Sequence, residues 1–216
     1  MNLLFDLDGT LTDPREGITK SIRFALEKMS AHIPTEEELQ VLIGPPLRQS
    51  FAMLLNTEES SLIEKTLGFY RERYSSRGIF ENEVYEDVPK MLETLRAEGS
   101  HKIFVATSKP RVFAEQIIAH FKFDRFFDKV YGSELDGRLD DKANLIRHII
   151  ATESLSTNET VMIGDRMHDI IGAKKNNCRS IGVMYGYGTE IELREAKADF
   201  ICYKPNEIAS VFNHFD

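Results

Sequence analysis

The segment Leu3-Leu4-Phe5-Asp6-Leu7-Asp8-Gly9-Thr10 decides how the rest of the chain reads. From Asn2 to Phe5 it is short and apolar on both alternating faces, as a strand buried on both sides of a parallel sheet must be. It then delivers Asp6 and Asp8, which an extended backbone points to the same side, and Gly9 lets the chain turn sharply beyond them. Carboxylates at the carboxyl end of a parallel strand lie where open α/β sheets bind ligands. Two of them together are costly without a cation, and hard oxygen donors suit Mg²⁺, which brings phosphate with it. A calcium loop also begins with D-x-D-G, but it needs a preceding helix, a sixth-position Gly and a twelfth-position Glu. Here a strand precedes, and Leu11 and Gly17 stand at those positions.

Outward from this segment, short apolar runs alternate with helical patterns. Further strands are expected at Lys102 to Ala106, Lys129 to Tyr131, Thr160 to Ile163, Ser180 to Val183 and Asp199 to Cys202. Helices are expected at Val88 to Glu98, Val112 to Phe121, Lys142 to Thr152, His168 to Lys175 and Thr189 to Lys197. The alternation predicts an α/β fold with a doubly wound, Rossmann-like parallel sheet.

From about Pro14 to about Asn82 the alternation stops and every periodic segment reads as helix. Ile18, Ile22, Ala25, Leu26 and Met29 fall at helical spacing, and Leu62, Leu67, Phe69, Tyr70 and Tyr74 make a second apolar face. Gly44-Pro45-Pro46 separates two of the helices. Three or four helices in succession do not fit one right-handed crossover. A small helical domain at 14–83, inserted into a core of 1–13 and 84–216, is therefore expected, ahead of the alternative that these helices merely cover a sheet face.

With 216 residues there is room for one sizeable core and a modest insert. Hydrophobic residues at 42% and charged ones at 29% are ordinary for a folded chain, which sets disorder aside. Asp plus Glu (35) outnumber Lys plus Arg (27), and the net charge of −8 repels phosphate backbones and anionic surfaces. No nucleic-acid or membrane partner is expected. Cys178 and Cys202 make no disulfide framework and lean towards a reducing compartment. The N-terminal residues show no signal-peptide pattern, and no apolar run approaches a membrane span, so a cytoplasmic location is expected. Monomer and homodimer stay open, because Phe51, Met53, Leu54 and Leu55 read equally as core or contact surface.

Two further strand ends and one helix start carry chemistry. Ile103-Phe104-Val105-Ala106 runs into Thr107-Ser108-Lys109-Pro110, where hydroxyls and free N–H groups make an anion site, although Thr107 and Ser108 taken alone read as plain N-caps before they read as ligands. Lys142 opens a helix, where a cation opposes the dipole; this hints at service elsewhere, with a solvated surface lysine as the alternative. Val161-Met162-Ile163-Gly164-Asp165 is again a buried strand ending in a carboxylate, a second candidate metal ligand. Asp169, four residues on, faces back towards it or serves as a helix cap.

In this order and at these strand ends the residues resemble the haloacid dehalogenase superfamily. Asp6-Leu7-Asp8-Gly9-Thr10 matches its first motif, Thr107 its second, Lys142 its third, and Gly164-Asp165 with Asp169 its fourth. Gly44-Pro45-Pro46-Leu47-Arg48 and Gly186-Tyr187-Gly188 are similar to the phosphoglycolate phosphatase-like branch, whose helical cap lies between the first and second motifs. Asn176-Asn177-Cys178 departs from the Gly often found at that turn, but Asn tolerates the left-handed conformation required there.

The resemblance implies a Mg²⁺-dependent phosphatase acting on a small phosphorylated metabolite. Asp6 would be the nucleophile and Asp8 the general acid and base. Asp6, the Asp8 carbonyl and Asp165 would hold the metal, and Asp169 would orient water beside it. Thr107, the Ser108 N–H and Lys142 would bind phosphoryl oxygens. Arg48 is the candidate substrate contact in the cap, with a solvated arginine as its alternative. An acid at position 8 favours phosphate esters over the superfamily's dehalogenases and phosphonate hydrolases, which lack one there. A 5'-nucleotidase, a phosphosugar phosphatase or a mutase fits the same core. A receiver-type phospho-accepting module is disfavoured by the insert, and a non-catalytic scaffold by the presence of both Asp6 and Asp8.

Overall fold

A continuous apolar run, buried on both faces, places β1 (Asn2–Phe5) in the middle of the main sheet. Leu3, Leu4 and Phe5 are fully buried, each contributing about 1.5–3 kcal/mol by leaving water. The structure, a computed structural model, describes residues 1–212. It divides into two compact units, one formed by Met1–Asp13 with the chain from Val84 onward, the other by Pro14–Glu83.

The first unit contains β1 and then β2 (Thr12–Asp13), where the chain leaves it. In the second unit follow α1 (Arg15–Lys28), α2 (Glu36–Gln40), α3 (Leu47–Leu54) and α4 (Ser60–Arg73), and β3 (Glu83–Val84) marks the return. The first unit then runs α5 (Val88–Ala97), β4 (Lys102–Pro110), α6 (Arg111–His120), β5 (Lys129–Ser133) and α7 (Lys142–Glu153). It continues through β6 (Thr160–Gly164), α8 (Met167–Lys175), β7 (Arg179–Val183), α9 (Glu190–Glu195), β8 (Phe200–Cys202) and α10 (Glu207–Val211).

Six strands form one parallel sheet in the order β5-β4-β1-β6-β7-β8. From β1 the chain steps outwards through β4 and β5, then returns and steps the other way through β6, β7 and β8. This is the Rossmann-like order the alternation predicts, with helices on both faces because right-handed crossovers run in both directions. Register puts Leu4 opposite both Phe104 and Met162, and these pack with Leu145, Ile146, Ile149 and Ala173 into one apolar cluster. The direction of winding reverses at β1, so its carboxyl end and that of β6 frame the crevice where such sheets take ligands.

Local chemistry explains several joints. After Asp8 the Leu7 carbonyl accepts the N–H groups of Leu11 at 2.9 Å and Thr12 at 3.0 Å, and Gly9 takes φ +80°. The turn after α8 is closed by Asn177 at φ +54°, while Asn176 Nδ2 donates to the Ala143 and Gly172 carbonyls at 2.9 and 2.8 Å. A Gly is therefore dispensable there. Strand β4 runs four residues beyond the expected end at Ala106, with irregular pairing between Thr107 and Pro110.

In the helical unit Ile18, Ile22, Ala25 and Leu26 of α1 are buried, as are Leu67 and Tyr70 of α4 and Tyr74 beyond it. Phe51 is buried with its ring edge against Tyr70 at 6.1 Å, whereas Met53 is 69% exposed. Cys178 and Cys202 are buried free thiols, which burial pushes up to about 11 and about 12. Among the described residues no helix is long and apolar enough to cross a membrane.

Candidate active site

The carboxyl ends of β1, β4 and β6 and the first turns of α7 and α8 bring Asp6, Asp8, Thr107, Lys142, Asp165 and Asp169 into one buried site. Lys142 is its hub. It stands at the first position of α7, whose N-cap Asp141 accepts the Asn144 N–H at 2.9 Å. Its stem runs inward, so the residue is only 4% exposed and is no solvated lysine. Nζ lies 3.1 Å from Asp6 Oδ1, 2.8 Å from Asp169 Oδ1 and 2.9 Å from the Ala106 carbonyl oxygen. Burial works against its charge, but Asp169 and then Asp6 together outweigh it and raise its pKa.

Asp6, Asp165 and Asp169 each offer an oxygen within 4.8 Å of the others. Asp6 Oδ1 also accepts the Leu7 N–H at 2.8 Å. Asp165 is held by Tyr187, whose N–H donates to Oδ2 at 2.8 Å, and Thr10 Oγ1 stands 3.5 Å from Oδ1. Asp169 does double duty: its Oδ2 accepts the Arg166 N–H at the start of α8 at 3.1 Å, while Oδ1 faces Lys142. Burial, then the neighbouring carboxylates Asp169 and Asp6, push Asp165 well above the usual carboxylate range. Burial likewise pushes Asp169 up to about 6, against the pull of Lys142.

The glycines here make room for carboxylates. A methyl group on Gly188 would lie 1.8 Å from the Asp165 carbonyl oxygen, and one on Gly186 2.4 Å from Asp165 Cβ. The Gly186-Tyr187-Gly188 segment thus packs directly against the strand end that it holds.

Asp8 points to a different partner. Its Oδ2 is 2.7 Å from Lys109 Nζ, and its Oδ1 is buried with no hydrogen-bond partner among the described residues. Burial raises its pKa and Lys109 opposes the rise. Lys109 was not singled out from sequence. The signal was there: continued alternation along β4 turns Thr107 and Lys109 inwards together, both buried. Ser108, between them, donates its hydroxyl to the Asp140 carbonyl at 2.9 Å, so only its N–H remains to serve an anion. Thr107 Oγ1 accepts the Lys109 N–H at 3.2 Å.

Counted as fully ionised, four buried carboxylates (Asp6, Asp8, Asp165 and Asp169) and two buried ammoniums (Lys109 and Lys142) carry a formal charge of two negative. One divalent cation would neutralise them, and an all-oxygen donor set fits a hard ion such as Mg²⁺. Arg48 belongs to the helical unit, where its Nε pairs with Glu64 Oε1 at 2.6 Å.

Residues 3–183 match the family model described as haloacid dehalogenase-like hydrolase. The chain is 49% identical over 201 residues to a 5'-nucleotidase of Pseudomonas aeruginosa, covering 93% of this chain and 90% of that protein. It is 33% identical over 199 residues to the tyrosine-protein kinase PtkA of Mycobacterium tuberculosis, covering 92% of this chain but only 64% of that longer protein. A crystal structure described as a predicted phosphatase from Clostridium acetobutylicum aligns with a TM-score of 0.94 at 41% identity, covering 99% of this chain and 98% of that one.

Proposed function

This chain belongs to the haloacid dehalogenase-like hydrolase family and is a phosphoric monoester hydrolase; from that premise we propose that it cleaves a small phosphomonoester with Mg²⁺, through an aspartyl-phosphate on Asp6. The observation that carries the reading is the position of Lys142 Nζ, between Asp6 and Asp169, with Asp165 in the same carboxylate group. Two acids hold the one lysine and a third lies within 4.8 Å of both, an excess of carboxylate that a divalent cation would offset.

In the proposed reaction an Asp6 oxygen attacks phosphorus while the ester P–O bond breaks, and Asp8 gives its proton to the leaving oxygen. Water then attacks phosphorus, Asp8 takes a proton from it, and Asp6 departs as carboxylate. Lys142, Thr107 and the Ser108 N–H bind the equatorial oxygens, whose charge is best stabilised by donors already in place. Asp6, Asp165 and the Asp8 carbonyl would hold Mg²⁺, with Asp169 orienting water beside it; the bound ion offsets the repulsion between carboxylate and phosphoryl group.

A nucleoside 5'-monophosphate is the proposed substrate class, supported by the relative that is 49% identical over nearly the whole of both chains. Phosphoglycolate, which the sequence resemblance favours, comes second, and a phosphosugar third. The unit Pro14–Glu83 is proposed as the cap that selects among them, with Arg48 as its candidate contact. A panel of these esters with Mg²⁺, read as released phosphate and by product analysis, tests the assignment. Metal-dependent hydrolysis is expected. Turnover that persists in chelator would refute the proposal, and product that keeps its phosphate would show a mutase.

A further inference from the structure

We propose that Lys109 is a positioning residue: it holds the Asp8 carboxyl by Oδ2 so that the proton is exchanged at Oδ1 with the ester oxygen. The inference rests on the reading of Asp8 as general acid. The two oxygens of Asp8 are divided, since Oδ2 lies 2.7 Å from the Lys109 ammonium while Oδ1 is buried with no partner among the described residues. An acid anchored at both oxygens would have none to offer, and one anchored at neither would swing between rotamers.

Stability alone does not account for the pair. Burying two charges carries a heavy desolvation cost, and an apolar pair of similar volume would generally serve the fold as well. Ordering a long lysine side chain adds the loss of its rotamer freedom. Lys142 does not take over the task, because its ammonium is engaged by Asp6, Asp169 and the Ala106 carbonyl. The extension of β4 past Ala106 brings Lys109 to Asp8, with Gly132 giving the strand room: a methyl there would lie 2.5 Å from the Lys109 carbonyl oxygen.

The test is the dependence of rate on the leaving group. kcat/KM reports events up to formation of the phosphoenzyme, which is the step in which Asp8 protonates the ester oxygen. The Mg²⁺-loaded enzyme and its variants are assayed on aryl phosphates from p-nitrophenyl to phenyl phosphate. The weakly basic nitrophenolate needs little protonation, whereas phenolate needs more. Lys109→Met is expected to lose about tenfold more on phenyl phosphate than on p-nitrophenyl phosphate, part of the ~10²–10⁴ that a positioned acid supplies. Lys109→Arg is expected to keep the wild-type dependence. Lys109→Gln is run beside Lys109→Met so that a variant that fails to fold does not end the test.

A structural role would lower all substrates equally. Parallel losses in folded neutral variants, with Asp8→Asn showing a steep dependence, would overturn the role of Lys109. If Asp8→Asn is itself parallel to wild type, the acid role of Asp8 fails, and the proposal fails with it.

Discussion

Replacing Lys142 by Met keeps most of the side-chain volume and removes only the charge. At 3.1 Å from Asp6 and 2.8 Å from Asp169, the ammonium contributes about 5 and about 6 kcal/mol of attraction at an effective dielectric of ~20. Much of that is offset by the cost of burying it, but deleting one partner leaves two buried carboxylates uncompensated beside Asp165. The expected loss is about 4 kcal/mol near pH 7.5 in chelator, within the 3–5 kcal/mol seen when a buried pair is broken. For a chain of this size that lowers Tm by about 8–16 °C.

Acid narrows the gap. Asp169, pushed up to about 6, is already protonated in both proteins near pH 5, so its pair with Lys142 no longer separates them. Calorimetry of both chains at the two pH values is the assay. A gap below about 1 kcal/mol near neutral pH, or one unchanged in acid, would refute the charge balance assigned to the site. Activity is expected to fall by about 10²–10³ in kcat, as for loss of one transition-state donor.

The metal-free chain should lose stability as pH rises through about 4 to 6, because folded Asp169 binds a proton more tightly than the unfolded carboxyl with its ordinary value near 3.8. Saturating Mg²⁺ should reverse that slope and add about 2.7 kcal/mol at a hundredfold excess over Kd, read by thermal melting; identical melts with and without the ion would contradict it. Gly188→Ala should cost at least about 1–3 kcal/mol and most of the activity, since its methyl would sit 1.8 Å from the Asp165 carbonyl oxygen. Arg48→Ala should change stability by less than about 1 kcal/mol, because its pair with Glu64 is partly exposed. It should raise KM for the natural ester while sparing p-nitrophenyl phosphate, and unchanged KM on every ester would remove Arg48 from the substrate contacts.

Much of the core was legible because its strands are buried on both faces. The apolar runs at Leu3, Val105 and Ile163 announce themselves, and each ends at the residues that meet in the site. What periodicity does not carry is direction. Lys142 reads equally as surface or site until the inward path of its stem is seen. Lys109 lies beyond the strand end expected at Ala106, whereas the extended backbone continues to it and its alternation turns the lysine towards Asp8. The pair of Arg48 with Glu64 spans sixteen positions and two helices, beyond any local pattern. Tyr187 serves Asp165 through its backbone N–H, a role invisible to residue type.

The central claim is that Asp6 carries the phosphoryl group. Rapid quenching during turnover, reduction of the acyl phosphate with borohydride and peptide mass mapping would locate it. The account predicts homoserine at position 6 and none in Asp6→Asn. Reduction product at any other aspartate, or none from an enzyme shown to be turning over, would contradict it.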